Sequence, residues 1–316
     1  MEGTDMSQES GTVVVVGSLN ADLVVQVERM PAPGETVRGS ELVVLPGGKG
    51  ANQAAAAALL GGHVSMLGAV GDDANGTLLL DAAARAGVDT TSVVRLDGVA
   101  TGTAVISVDA RGENSIIISP GANGHLTPEY LGEDFFAGAA VLCLCLEVSL
   151  ETVTAAARHA RDAGAQVLLN LSPYQPVGAE LLELVDVLLV NDHEAADLLG
   201  RDVVDAGWDA VLAALAGVGV RRAVVTLGSR GSVVLDATAP AADQVVEVGA
   251  VTVEAVDTTG CGDAFTGALA QQIAAGATLV EAAQVAARVA AFAATRPGAQ
   301  SSYPTLAQLA GVGQPV

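Results

Sequence analysis

The chain has 316 residues, of which 51% are apolar, 16% charged and 3% aromatic; a chain this long buries about 75% of its unfolded surface without disulfides or a structural metal. That apolar fraction and the lack of a short repeat exclude intrinsic disorder and collagen-like or low-complexity architectures. Fourteen basic against 36 acidic residues give a net charge of −22, which repels nucleic acid and anionic membranes, so neither is expected as a partner, and any phosphate must be held by local devices.

Residues 1–10 are polar and acidic, unlike a signal peptide, and are expected to form a disordered tail ahead of a single domain over residues 11–310. Thr12–Val16 reads as a buried strand ending at Gly17. Ala51–Leu60 reads as a helix stopped by Gly61-Gly62, Val64–Val70 as a strand, and Gly76–Ala86 as a helix closed by Gly87. Ala139–Leu146 is a strand, and Ser149 caps a helix running to Ala163. Strands are expected at Gln166–Asn170 and Val185–Val190, and a short helix at Asp192–Leu199. Ala223–Leu227 is a strand, followed by a hairpin-like pair at Gly231–Leu235 and Val245–Val248. Helices over about Gly262–Ala275 and Leu279–Thr295 close the chain. The longest strongly apolar run, Phe135–Leu146, is too short to span a bilayer. The cysteines Cys143, Cys145 and Cys261 are odd in number and lack metal-ligand spacing, which points to a reducing, cytoplasmic compartment.

Strand–helix alternation predicts an α/β fold, a doubly wound and mostly parallel sheet with helices on both faces. Two stretches break the rhythm. Leu23–Leu45 and Thr101–Ser119 carry strand-like runs with no helix between them, the latter turning at Asp109-Ala110-Arg111-Gly112. They read as a small inserted β-sheet, with segments about 22–46 and 97–119, whose apolar face needs cover from a cleft or a second subunit.

The strongest chemical signal is Asp257-Thr258-Thr259-Gly260-Cys261-Gly262-Asp263, a Gly-x-Gly turn entering an apolar helix, whose free N–H groups and positive dipole end make an anion site. Asp263 has two readings there. As a cap it stabilises the helix by about 1 kcal/mol; as a general base it takes a proton from a hydroxyl while the amides bind the phosphoryl group under attack. Gly47-Gly48-Lys49-Gly50-Ala51-Asn52 holds the one lysine in a chain with 13 arginines. It is neither a Walker A loop, lacking the hydroxyl after Lys-containing glycines, nor a dinucleotide fingerprint. It is either a plain helix-leading loop or one whose missing Cβ atoms let a small polar ligand approach, with Asn52 offering an amide. Asn20 and Asp22 follow the first strand, Glu147 follows the strand through Leu146, and Asn191 to Glu194 follow Val190. Each alone fits a turn or helix cap; together, these strands deliver polar residues to one sheet edge, which favours a site. The four histidines share no ligand spacing, and no Gly-x-Ser-x-Gly elbow supports serine hydrolysis.

From about Thr12 to Tyr303 these motifs resemble the ribokinase-like (PfkB) carbohydrate kinase family. Asp257–Asp263 is similar to its second signature, Asp-Thr-x-Gly-Ala-Gly-Asp, and Gly47–Ala54 to its first. Asn20-Ala21-Asp22, Pro33-Gly34-Glu35-Thr36, Gly121-Ala122-Asn123 and Thr295–Ala299 are similar to its ribose-phosphorylating branch. The resemblance implies transfer of the ATP γ-phosphoryl group to O5 of D-ribose, a small β-lid on the main domain, and a homodimer formed through that lid. Asp263 would be the base, and the N–H groups of Gly260, Cys261 and Gly262 the anion hole. Asn20, Asp22, Gly48, Lys49, Asn52 and Glu147 would hold the sugar. Asn191 and Glu194 would organise Mg²⁺ and phosphates, and Thr226, Gly228, Ser229 and Gly262 would line the nucleotide site. A monovalent activator, K⁺, would be held by Asp257, Thr259, Ala293, Arg296, Gly298 and Ser302.

The sequence also departs from the pattern. Cys261 replaces an alanine and sets a thiol at the anion hole, a target for cysteine reagents. Leu171-Ser172-Pro173 replaces Pro-Ala-Pro, and Ala287 stands where a nucleotide-contacting histidine can occur. The rival readings are a kinase of the same family for another sugar or a nucleoside, and a non-catalytic sugar-binding protein on the same fold. The low aromatic count disfavours a nucleoside, and intact Asp263 and its glycines disfavour a mere binder.

Overall fold

Runs of Val and Leu that bury both faces of a strand build the central layer. In the computed structural model, which describes residues 11–313, nine strands form one sheet. Their order across it is Val245–Val248, Ser232–Asp236, Arg222–Thr226, Val187–Asn191, Gln166–Asn170, Ala139–Leu144, Thr12–Val16, Val64–Leu67 and Val88–Asp89. Pairing is parallel from Val88–Asp89 to Arg222–Thr226 and antiparallel over the last two strands. Alternation assigns side chains to the two faces. Val13, Val15, Val141 and Cys143 enter one core with helices Lys49–Leu59, Cys261–Ala274 and Leu279–Ala294. Val14, Val16, Leu142 and Leu144 enter the other with helices Leu150–Asp162 and Trp208–Gly217. A sheet covered on both faces is the doubly wound arrangement expected. The tail expected over residues 1–10 lies outside the described residues.

The second sheet has four strands, in the order Val43–Gly47, Asn20–Gln26, Gly102–Val108 and Asn114–Ser119. It is the small separate layer read from the two segments without helices. Its outer strand is exposed throughout; Ile117 is 68% accessible, and Ile116 and Ile118 flank it.

Some boundaries differ from the sequence reading. The single strand expected over Val64–Val70 is two, Val64–Leu67 in the main sheet and Ala69–Gly71 paired with Val94–Leu96. Gly68 marks the break: a Cβ there would lie 2.5 Å from Leu19 Cδ1 and 2.7 Å from the Gly17 carbonyl oxygen, so the chain turns off the sheet beneath the first strand. Helices Arg201–Asp205 and Trp208–Gly217 were not foreseen, and neither were the short strands at Val88 and Val94. Two- and three-residue strands carry too few side chains to show a period.

Candidate active site

Helix Cys261–Ala274 begins at Gly260, whose φ of 72° is left-handed. Glycine is needed there, because a Cβ would meet Tyr303 Oη at 2.6 Å and Ala299 Cα at 3.0 Å. No side chain caps this helix, so Asp263 is not its cap. Its carboxylate, 6% exposed, instead accepts from Asn52 Nδ2 at Oδ2 (2.9 Å) and from Gln53 Nε2 at Oδ1 (3.2 Å). Both donors come from the first turns of helix Lys49–Leu59. The two helices approach closely because Gly267 lies against this neighbour; a Cβ on it would come 2.3 Å from the Gln53 carbonyl oxygen and 2.7 Å from Ala56 Cβ. Small residues at one helix crossing thus bring two amides onto one carboxylate.

The glycine loop closes over the end of the first strand. Gly48 has φ 90°, and Cβ atoms on Gly48 and Gly50 would meet the Ser18–Asn20 backbone at 2.6–2.9 Å and the Ser18 nitrogen at 2.7 Å. Glu147 Oε2 accepts from Ser18 Oγ (2.5 Å) and from the Lys49 N–H (3.0 Å), tying loop to strand end. Asn123 acts as a clamp on the other side. Its Oδ1 accepts from the Leu19 N–H, and its Nδ2 donates to the Leu19 carbonyl (3.0 Å) and to Asn20 Oδ1 (2.8 Å). Asp22 lies against Gly47, whose Cβ would fall within 2.6 Å of the Asp22 carboxylate. Burial first, then the charges of Glu147 and Asp263, push Asp22 up to about 7. The Asp263 charge raises Lys49 above the usual lysine value against burial, with Glu147 adding to it.

That crowding has a measurable consequence. Folded Asp22 binds its proton more tightly than unfolded Asp22, so this residue makes ligand-free stability fall as pH rises from about 4 to about 7. Asp22→Asn is therefore expected to stabilise the free protein at pH 8 by on the order of 1–3 kcal/mol and to do little at pH 4. Thermal unfolding of both proteins at the two pH values checks this; equal gaps at both would count against it.

At the same sheet edge, Asn191 and Glu194 form a reciprocal capping box: Asn191 Oδ1 accepts from the His193 and Glu194 N–H groups, and Glu194 Oε2 accepts from the Asn191 N–H. The capping reading of these two residues is thus realised, while the Glu194 charge still reaches Lys49 across the cleft. Thr226 pairs with Asn191 on the adjacent strand, and Gly228 and Ser229 follow in a 3-10 turn. Among the described residues, the Gly260, Gly262 and Asp263 N–H groups have no protein acceptor, and the space beside Gly262 is open to 4 Å. The Cys261 N–H differs, donating to the Thr258 carbonyl at 3.2 Å. Its thiol is pushed up to about 11, by burial first and then by the Asp257 and Asp263 charges. A thiol so rarely ionised is a slow target for the reagents expected to modify it.

The residues matched to a cation also gather. Asp257 accepts from the Thr259 N–H (2.9 Å) and the Gly298 N–H (2.8 Å), and its own N–H donates to the Ala294 carbonyl, so Asp257–Thr259 packs against the loop after helix Leu279–Ala294. Burial opposes ionisation of Asp257, but the Gly298 and Thr259 donors outweigh it and hold the carboxyl below its usual value. Arg296 and the buried Ser302 belong to that loop, and Ala293 lies in the last turn of the helix before it. An ionised carboxylate beside turn carbonyls is an all-oxygen donor set, the kind that suits a hard cation.

Ser18, Gln53 and Asn123 stand in or beside the motifs of the sequence reading but were given no site role there, and Gln300 was not singled out. Gln53 follows Asn52 directly, and its helical position on the buried face was a usable signal; the other three join the site only through long-range contacts. Residues 10–306 match the pfkB family of carbohydrate kinases. The chain is 39% identical over 311 residues to a ribokinase of Schizosaccharomyces pombe, covering 95% of this chain and 96% of that one. It is 36% identical over 303 residues to a deoxyribokinase of Salmonella typhi, at 94% and 96% coverage. The structure of Arabidopsis thaliana ribokinase complexed with ribose and ATP superposes with a TM-score of 0.87 at 32% identity, covering 95% of this chain and 98% of that one. This chain belongs to the pfkB carbohydrate kinase family.

Proposed function

We propose that the protein transfers the γ-phosphoryl group of ATP to O5 of D-ribose, giving ribose 5-phosphate and ADP. The observation that carries this reading is the buried Asp263 carboxylate, held by two amides, in the first turn of a helix whose Gly260 and Gly262 N–H groups have no protein acceptor among the described residues. Asp263 takes the O5 proton as O5 attacks phosphorus in line. The new O5–P bond forms while the bond to the β,γ-bridging oxygen breaks, and ADP leaves with that electron pair. The Gly260 and Gly262 amides receive the charge spread over the phosphoryl oxygens, joined by Cys261 once its turn to Thr258 opens. Asn20, Asp22, Gly48, Lys49, Asn52 and Glu147 hold the sugar, and Thr226, Gly228 and Ser229 line the nucleotide site.

Asn191 and Glu194 would organise Mg²⁺, which neutralises phosphate charge when bound. Asp257, Thr259, Ala293, Arg296, Gly298 and Ser302 would hold K⁺, a fixed positive charge beside the anion site. The four-stranded sheet, as a lid on a single kinase domain, excludes water from the cleft. Its exposed outer strand, with Ile116, Ile117 and Ile118 all accessible, supports a lid-to-lid dimer, which sedimentation at twice the chain mass would bear out and a monomer would refute. Three free cysteines, two of them buried, support a reducing, cytoplasmic setting, and no helix among the described residues is long and apolar enough to cross a membrane.

The likeness to a deoxyribokinase favours 2-deoxyribose as the second reading. ADP release measured with ribose, 2-deoxyribose, fructose and adenosine, with and without K⁺, decides between them. Ribose should give a kcat/KM about tenfold or more above 2-deoxyribose. The reverse order would replace the substrate, and no ADP with any sugar would leave a binding protein.

A further inference from the structure

Gln300 is matched to neither sugar, nucleotide nor cation, yet it touches the centre of the site. It opens the 3-10 turn Gln300–Ser302 and is half-buried. Its Nε2 donates to Asn52 Oδ1 at 3.1 Å, and Asn52 Nδ2 donates to Asp263 Oδ2 at 2.9 Å. The polarity of this chain is fixed from one end. Both Asp263 oxygens accept, so Asn52 turns its NH₂ to Asp263 and its oxygen to Gln300, and Gln300 answers with its own NH₂. Without that donor the carboxylate still selects the NH₂ end of Asn52, but nothing at Oδ1 anchors the far end of the amide. An amide held at one end only is free to turn about its side-chain bonds, and the carboxylate it donates to swings with it. The opposite oxygen is aimed in the same way: Gln53 Nε2 donates to it while Gln53 Oε1 accepts from the Cys143 thiol at 3.2 Å. Burial raises Cys143 well above the usual thiol value, so it remains a donor. That second relay lies wholly in the core; the first ends on the loop whose Gly298 is tied to Asp257.

We propose that Gln300 is a positioning residue for phosphoryl transfer, aiming the Asp263 carboxylate at the attacking hydroxyl by anchoring the far end of the Asn52 amide. This rests on Asp263 being the base. The test compares Gln300→Met, which keeps the volume and loses the donor, with Gln300→Ala, which loses both. In each variant kcat should fall about tenfold, KM for ribose should rise by less than that because Asn52 also holds the sugar, and KM for ATP should move less than about threefold. Melting temperatures should stay within about 2 °C of the parent, as for a half-buried surface loop. If Gln300→Met turns over within about twofold of the parent, the side chain only fills space, or does nothing, and the proposal is overturned. A change confined to KM overturns it as well. Asp263→Asn, measured alongside, separates the two readings. A parent that makes no ADP with any sugar sinks the kinase reading and this proposal with it. A parent that turns over, with Asp263→Asn unimpaired and the Gln300 variants slow, sinks only the route through Asp263.

Discussion

Asp263→Asn is expected to lower kcat by about 10²–10⁴-fold while sugar still binds, because the amide cannot accept the proton that leaves O5. The substitution is close to isosteric, so the binding loop and the helix start should stay in place. Its cost to the surroundings is also definable. Asp263 now accepts two amide hydrogen bonds, from Asn52 and Gln53. An asparagine can accept at one end only, so one of those donors must turn away, at a cost of about 1 kcal/mol in stability. Loss of rate should therefore far exceed loss of stability. ADP release and ribose calorimetry on the same preparation measure the two effects. Turnover within a few-fold of the parent would remove Asp263 from the chemistry.

Gly48→Ala should cost about 100-fold or more in kcat/KM for the sugar, with the rise in KM dominating. Two independent penalties coincide at this residue. Its φ of 90° is one that side-chain-bearing residues rarely adopt, worth about 1–3 kcal/mol. Its Cβ would also sit 2.6 Å from the Asn20 nitrogen, 2.9 Å from Leu19 Cα and 2.9 Å from the Ser18 oxygen. All three are backbone atoms of the strand end, so no rotamer change relieves the contact. The loop must lift, taking with it the Lys49 N–H that donates to Glu147. Steady-state kinetics and calorimetry check this; a sugar KM within about threefold of the parent would show that the loop does not shape the sugar site.

Much of this was legible beforehand because its signals are local. The Val-rich runs, the Gly stops and caps such as Ser149 mark elements whose formation depends on neighbours in sequence. The two stretches without helices betrayed the small sheet by breaking the alternation. The two glycine motifs carried the site because close backbone approach demands glycine, which shows in the sequence itself. The Asn191–Glu194 pair was ambiguous for the same local reason: a capping box and a polar pair at a strand end read alike, and in the structure the box is formed.

What one dimension determined, then, was the fold class, the strand edge at which polar residues collect, and the identity of Asp263 as the acid at the mouth of a helix. Its surroundings were decided in three dimensions. Asn52 and Gln53 reach Asp263 across 211 and 210 residues, and Gln300 reaches Asn52 across 248. Asn123 clamps Leu19 from 104 residues away. Whether Asp263 caps its helix or faces a neighbouring one depends on how closely the two helices pack, and Gly267 permits that approach only because Ala56 lies opposite it. Such contacts leave no period or spacing along the chain. Hydrogen bonding and charge act over a few ångströms of space, whatever the separation in sequence, so the carboxylate was visible in the sequence while its aim and its charged neighbourhood were not.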